Sequence, residues 1–198
     1  MKKILFYSLA VILGGCVPVL SLHQLYTKES IVFEEKLLGV WVDDPNNPET
    51  TWDFERPEKQ DPNDKAYRLT FSGKDGKKGL FTAHLVKLDN KLFLDVYPAE
   101  SPCDVEDPNK VRWPFNIFFM VPAHTFLKVG SIGPELKMSL TNQDKIKEFI
   151  TENPQAVRHE IVEENVVFTA SPKELQEFIK KYADDKRVFV DEMVLQHK

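Results

Sequence analysis

The chain has 198 residues, with 31 acidic and 26 basic side chains and a formal net charge of −5. That balance, without a long run of like charge, excludes a nucleic-acid surface as the organising feature and disfavours attraction to an anionic lipid face. The length suits one domain with a substantial core, and two cysteines, Cys16 and Cys103, offer at most one internal bridge.

Met1-Lys2-Lys3 precedes a mainly apolar run from Ile4 to Leu13, which ends in Leu13-Gly14-Gly15-Cys16. A run of that length matches the core of an export signal, whereas a full membrane span needs about 20 residues. The Leu-Gly-Gly-Cys quartet closely resembles the lipobox of bacterial lipoproteins. The resemblance implies diacylglyceryl transfer to Cys16, cleavage before it and acylation of the new amine. It also implies residence in the cell envelope, on the outer face of the cell membrane or at the outer membrane. The alternative is an uncleaved anchor helix from Ile4 to Leu22, which Gly14, Gly15 and Pro18 would weaken in its middle. Under either reading Lys2 and Lys3 stay inside, and residues beyond about 25 face outward.

Cleavage leaves 183 residues with 24 basic and 31 acidic groups. Cys16 is then consumed as a thioether, so Cys103 has no partner within the chain. The expected organisation is a signal peptide over 1–15, a lipidated cysteine and tether over 16–34, and a single β-rich globular domain over 35–198. A flexible tether of that length reaches only about 20 Å, which holds the domain close to the bilayer.

From Leu37 the apolar pattern has period two. It predicts strands at about 37–43, 50–55, 66–72, 79–88, 91–97, 115–121, 124–130 and 135–140, clearest in Tyr67, Leu69, Phe71 and in Leu92, Leu94, Val96. Asp89-Asn90 reads as a two-residue hairpin loop, and residues 73–79 as a longer tip. Three Asp-Pro-Asn tripeptides, at 44–46, 61–63 and 107–109, read as turns in which Asp accepts from the following backbone and Pro presets φ. A helix over 142–152 follows a Thr141 or Asn142 cap, with Ile146, Phe149 and Ile150 on one face. A second opens on the capping box Ser171-Pro172-Lys173-Glu174 and carries Leu175, Phe178, Ile179, Tyr182 and Ala183 as one stripe. Further strands are expected at 159–162, 166–169 and 187–190. The fold class is mainly β (α+β): an antiparallel, strongly curved sheet or partly open barrel, sealed by two helices.

His84 shares a strand face with Leu80, Val86 and Leu88, which points it at the core or into a barrel lumen and makes it a candidate for ligand binding. His124 follows Pro122 at an interruption of the most apolar strand, where a bend can turn a side chain toward a cleft. Asp95 shares the face of Phe93 and Tyr97, as a solvent-side residue, as the partner of a nearby cation or as the carboxylate of a His124 pair. No paired H-x-x-x-H or C-x-x-C spacing occurs, so neither a metal nor another cofactor is expected. The acidic stretches around Asp43 to Glu55 and Glu100 to Asp107 lack EF-hand order and read as solvated loops. The second surrounds Cys103 and should suppress its thiolate. No nucleophile elbow, P-loop or dinucleotide fingerprint is present.

Leu38-Gly39-Val40-Trp41 resembles the G-x-W that opens lipocalins, a resemblance that implies a Trp closing the base of an eight-stranded up-and-down barrel. A helix at 142–152 followed by further strands departs from that pattern. About 37–190 is similar to a group of bacterial exported proteins. The resemblance is carried by Phe93-Leu94-Asp95-Val96-Tyr97-Pro98, Val121-Pro122-Ala123-His124-Thr125-Phe126 and Thr169-Ala170-Ser171-Pro172-Lys173-Glu174-Leu175-Gln176, and it implies no particular activity. The expectation is a membrane-anchored lipoprotein that binds an apolar small molecule or another envelope component, with no nucleic-acid partner. The competing class is a hydrolase using His124 with a carboxylate such as Asp95.

Overall fold

The computed structural model describes residues 18–57, 65–74, 76–99 and 121–198. Eight strands form a closed antiparallel barrel: β3 (Gly39–Val42), β4 (Thr51–Glu55), β5 (Ala66–Ser72), β6 (Lys78–Leu88), β7 (Lys91–Pro98), β8 (Thr125–Ile132), β9 (Glu135–Leu140) and β12 (Val190–His197). The first seven form a meander. The eighth strand, β12, pairs with both β9 and β3, and β6 pairs with both β5 and β7, so the strongly curved antiparallel sheet or partly open barrel expected from the sequence is present and curves far enough to close into a ring. Two short strands, β1 (Leu20–Ser21) and β2 (Ile31–Val32), precede the barrel, and β2 adds an edge to β6.

Between β9 and β12 the chain leaves the barrel for α1 (Gln143–Glu152), the hairpin β10 (His159–Val162) and β11 (Asn165–Phe168), and α2 (Pro172–Tyr182). The departure from a plain eight-stranded barrel is thus an insertion before the last strand. Both helix starts follow their sequence signals. Asn142 accepts from the Lys145 amide at 3.1 Å, and the Ser171 amide donates to the Glu174 carboxylate at 2.8 Å. Asp89, at φ +53°, turns the β6–β7 hairpin, and Asp44 accepts from the Asn46 amide in the first Asp-Pro-Asn turn. The other two tripeptides, nearly all of the strand expected at 115–121, and Cys103 lie outside the described residues.

The alternation sorts side chains into two cores. Inside the barrel, Trp41, Phe54, Tyr67, Leu69, Ala83, Leu85, Leu94, Val96, Leu127, Val129, Leu136, Met138 and Leu195 are buried against one another. The Tyr67 hydroxyl accepts from the Glu34 amide and donates to its carbonyl, and burial pushes its pKa up to about 12, so it stays protonated. On the outer flank of β6, β7 and β8, residues Val86, Leu88, Phe93 and Phe126 pack beneath Ile146, Phe149 and Ile150 of α1 and Leu175, Phe178 and Ile179 of α2. Each such large apolar side chain contributes about 1.5–3 kcal/mol on leaving water.

Two expectations are corrected. Residues 18–34 are not a tether: Val19 and Leu25 are buried in the outer core, and β1 joins a three-stranded sheet with β11 and β10. Val19 donates its amide to Thr141 Oγ1, and Gln176 Nε2 donates to the Leu25 carbonyl, so the first half of the segment is stapled to the insertion. The last strand runs over Val190–His197 instead of 187–190. Val188 and Phe189 belong to the outer core beneath the helices, while Met193 and Leu195 turn into the barrel. Among the described residues no helix is long and apolar enough to cross a membrane.

Ion pairs fasten α2 and the turn beyond it. Hydrogen bonds from the Ser171 hydroxyl and amide, then from Arg158, hold the Glu174 carboxyl down to about 2, and Lys91 and Lys128 do the same for Asp184. Carboxyls depressed in the fold contribute stability that is complete above their ordinary values and is lost as pH falls from about 4.5 toward 2. Urea midpoints should therefore be level between about pH 5 and 7 and drop below about 4.5, and Glu174→Gln should soften that acid limb. An acid limb identical in the variant would remove Glu174 from the account.

Candidate functional site

Leu92, Leu94 and Val96 turn inward from β7, which sends Phe93, Asp95 and Tyr97 to its outer face. On a solvated flank Asp95 would be wet, one of the roles the sequence left open to it. This flank is covered by the N-terminal segment, and Asp95 is only 1% exposed. Its carboxylate is fully engaged: Oδ1 lies 2.7 Å from His124 Nδ1, and Oδ2 accepts from the Leu25 amide at 2.6 Å.

His124 reaches Asp95 because Pro122 interrupts the chain ahead of β8, where a proline cannot continue a ladder. The His124 backbone then exchanges hydrogen bonds with Ser21 at 2.8 and 2.9 Å, joining β1 to the barrel wall. The Tyr97 ring lies tilted over the imidazole with centroids 4.5 Å apart, and His124 is 8% exposed. The sequence-derived pairing of His124 with Asp95 therefore exists as a contact between residues 29 apart in the chain.

His84 stands opposite Asp95 in the β6–β7 ladder, hence on the outer flank and not in the lumen. It is half-buried beneath Tyr26, ring centroids 4.2 Å apart. Leu25, Tyr26, Tyr97 and Ser21 complete the site and were not singled out from the sequence. Tyr97 had a usable signal, its two-residue spacing from Asp95, whereas the Leu25 amide is a backbone donor with no residue signature.

A carboxylate at this distance accepts from Nδ1–H, which in the neutral ring leaves Nε2 as an acceptor. That is the base-and-orienter half of a hydrolytic triad. The neighbouring hydroxyls are otherwise committed: Ser21 Oγ donates to the His23 carbonyl at 2.7 Å, and Thr125 Oγ1 to the Val19 carbonyl at 3.0 Å. Among the described residues no group of three or more His, Cys, Asp or Glu is placed to hold a metal ion. With both carboxylate oxygens in use, the arrangement acts as a clasp that closes the N-terminal segment onto the barrel.

No protein-family model, curated relative or solved structure matches the chain.

Proposed function

We propose that the chain is a lipid-anchored envelope lipoprotein whose barrel is a non-enzymatic scaffold, engaging another envelope component through its outer surface. The filled interior carries this reading. Trp41, Phe54, Tyr67 and Leu85 occupy the space in which a lumen-binding barrel would hold an apolar ligand, so the described residues favour an envelope partner over an enclosed small molecule. The Leu13-Gly14-Gly15-Cys16 quartet supports the anchor, and the burial of Val19, three residues after Cys16, supports a domain seated directly at the membrane. Gly39-Val40-Trp41 at the head of the first barrel strand supports kinship with lipocalin barrels. Trp41 is buried there, with Nε1–H donating to the Leu37 carbonyl.

The 2.7 Å Asp95–His124 contact favours a second reading, a hydrolase with His124 as general base. Intact mass tests the anchor, and complementation tests the hydrolase. Protein extracted from membranes should have the mass of residues 16–198 plus acyl chains, and Cys16→Ser should abolish the adduct. Recovery of an unlipidated chain starting at Met1 and still membrane-bound would replace the lipoprotein with an anchor helix. In a strain from which the gene has been deleted, His124→Gln, which keeps a side-chain donor toward Asp95, should restore function. A folded His124→Gln protein that fails to complement, with a loss of roughly 10² or more, would instead select the hydrolase.

A further inference from the structure

Resting on the lipid-anchor reading, we propose that the outward face of the three-stranded sheet is a membrane-contact surface, inserting Leu20, Leu22 and Val162 into the headgroup–acyl boundary of the bilayer. β1 runs parallel to β11 with Leu20 opposite Val167 and Ser21 opposite Phe168, and β10 runs antiparallel to β11 with Val162 opposite Asn165. Alternation divides this sheet in two. Val19, Ser21, Val166 and Phe168 are buried toward the barrel, with Ile161 on their side but 57% exposed at the sheet's far edge, while Leu20, Leu22 and Val162 stand on the opposite face, 39%, 46% and 56% exposed. Leu20 of β1 and Leu22 just after it adjoin, with Val162 at the far corner of the same face, and exposed apolar side chains that share a face mark a contact surface.

The point at which the chain enters the domain selects the occupant. Pro18 follows Cys16 by two residues, which span at most about 7 Å, so acyl chains on Cys16 hold the start of β1 at the membrane surface. Leu22 lies within about 13 Å of Pro18 along an extended strand. No tether separates anchor from domain, because Val19 and Ser21 are already fixed by Thr141 and His124. A β1 lying along the bilayer places Leu20 and Leu22 in it; one pointing away would leave them in water. Glu160 stands on the outer strand of this face, and Glu163 and Glu164 form the hairpin turn. Carboxylates there oppose attraction to an anionic surface, so the contact is apolar insertion and not charge pairing.

The test uses the full acylated protein in phosphatidylcholine vesicles, with bimane attached at Leu22→Cys, Val162→Cys or, on the barrel strand β12, Val194→Cys, each in a Cys103→Ser background. Lipid brominated near the headgroup should remove about half the emission at the first two sites, as for side chains about 5–10 Å into the boundary, and leave Val194→Cys unchanged. Replacing part of the phosphatidylcholine with phosphatidylglycerol should not increase the quenching. Protein whose mass includes the acyl chains but whose Leu22 and Val162 labels are quenched no more than the Val194 label would overturn the proposal while leaving the anchor intact. That result would follow equally if a partner, a second copy or another part of the chain covered the face. A mass without acyl chains would overturn both.

Discussion

Trp41→Ala should lower stability by about 3–5 kcal/mol, among the largest single effects available in this domain. The ring is buried in the barrel interior, stands opposite Trp52 on one side and His197 on the other, and its edge meets the His197 ring at a centroid distance of 4.9 Å. Truncation removes that volume where strands on every side resist collapse, and it strands the Leu37 carbonyl that Nε1–H satisfies at 2.9 Å. Trp41→Phe keeps most of the volume and loses the hydrogen bond, so it should cost about 1–2 kcal/mol. Urea unfolding reads both, with midpoints falling at nearly constant slope. An open lumen would relax around the smaller residue; a Trp41→Ala loss under about 1 kcal/mol would therefore argue for an interior able to admit a ligand.

The glycine of the same G-x-W has its own physical reason. Gly39 sits at φ +112°, a conformation that side-chain-bearing residues rarely adopt, and a Cβ built there would lie 2.5 Å from His197 Nε2, so a larger residue would strain the backbone and push the His197 ring aside. Two of the three residues that carried a family resemblance thus perform one local task. Gly39 admits His197, and Trp41 packs against it.

The barrel was legible because its strands carry inward residues at period two, as in Tyr67-Leu69-Phe71 and Leu92-Leu94-Val96. The helices were legible because capping residues stand directly before apolar stripes. Residues 18–34 were not. β1 and β2 are two residues long, and their partners, Val167 and Phe168 for β1 and Leu85 and Val86 for β2, lie far along the chain, so no local pattern records them. Val188 and Phe189 resembled the middle of a strand, yet they serve the outer core, and the true strand carries its inward Met193 and Leu195 in a short Met-Val-Leu triplet without alternation. At the site, alternation placed Asp95 on the correct face. It could not reveal that this face is covered, because the cover comes from Leu25 and from helices some 50 or more residues beyond Asp95.

Removing the Asp95 carboxylate should release that cover. Asp95→Ala leaves the Leu25 amide and His124 Nδ1 without their acceptor in a buried setting, at about 1–3 kcal/mol for each, and the expected loss is about 3 kcal/mol. His124→Ala should cost less, since Asp95 retains the Leu25 amide and the Ser21 exchange uses only the His124 backbone. The double variant should fall short of the sum by at least about 0.5 kcal/mol, the coupling expected of residues in direct contact. Amide exchange adds a reading that a general packing defect would not give. Leu25 donates to the carboxylate itself, so its protection should collapse in Asp95→Ala, while that of Leu85 and Leu94, held in the barrel ladder, should fall only with global stability. Additive losses with Leu25 still protected would mean that the N-terminal segment is held by Thr141, Gln176 and the outer core alone. The Asp95–His124 pair would then lose its structural role, and its 2.7 Å geometry would count instead toward the general-base reading.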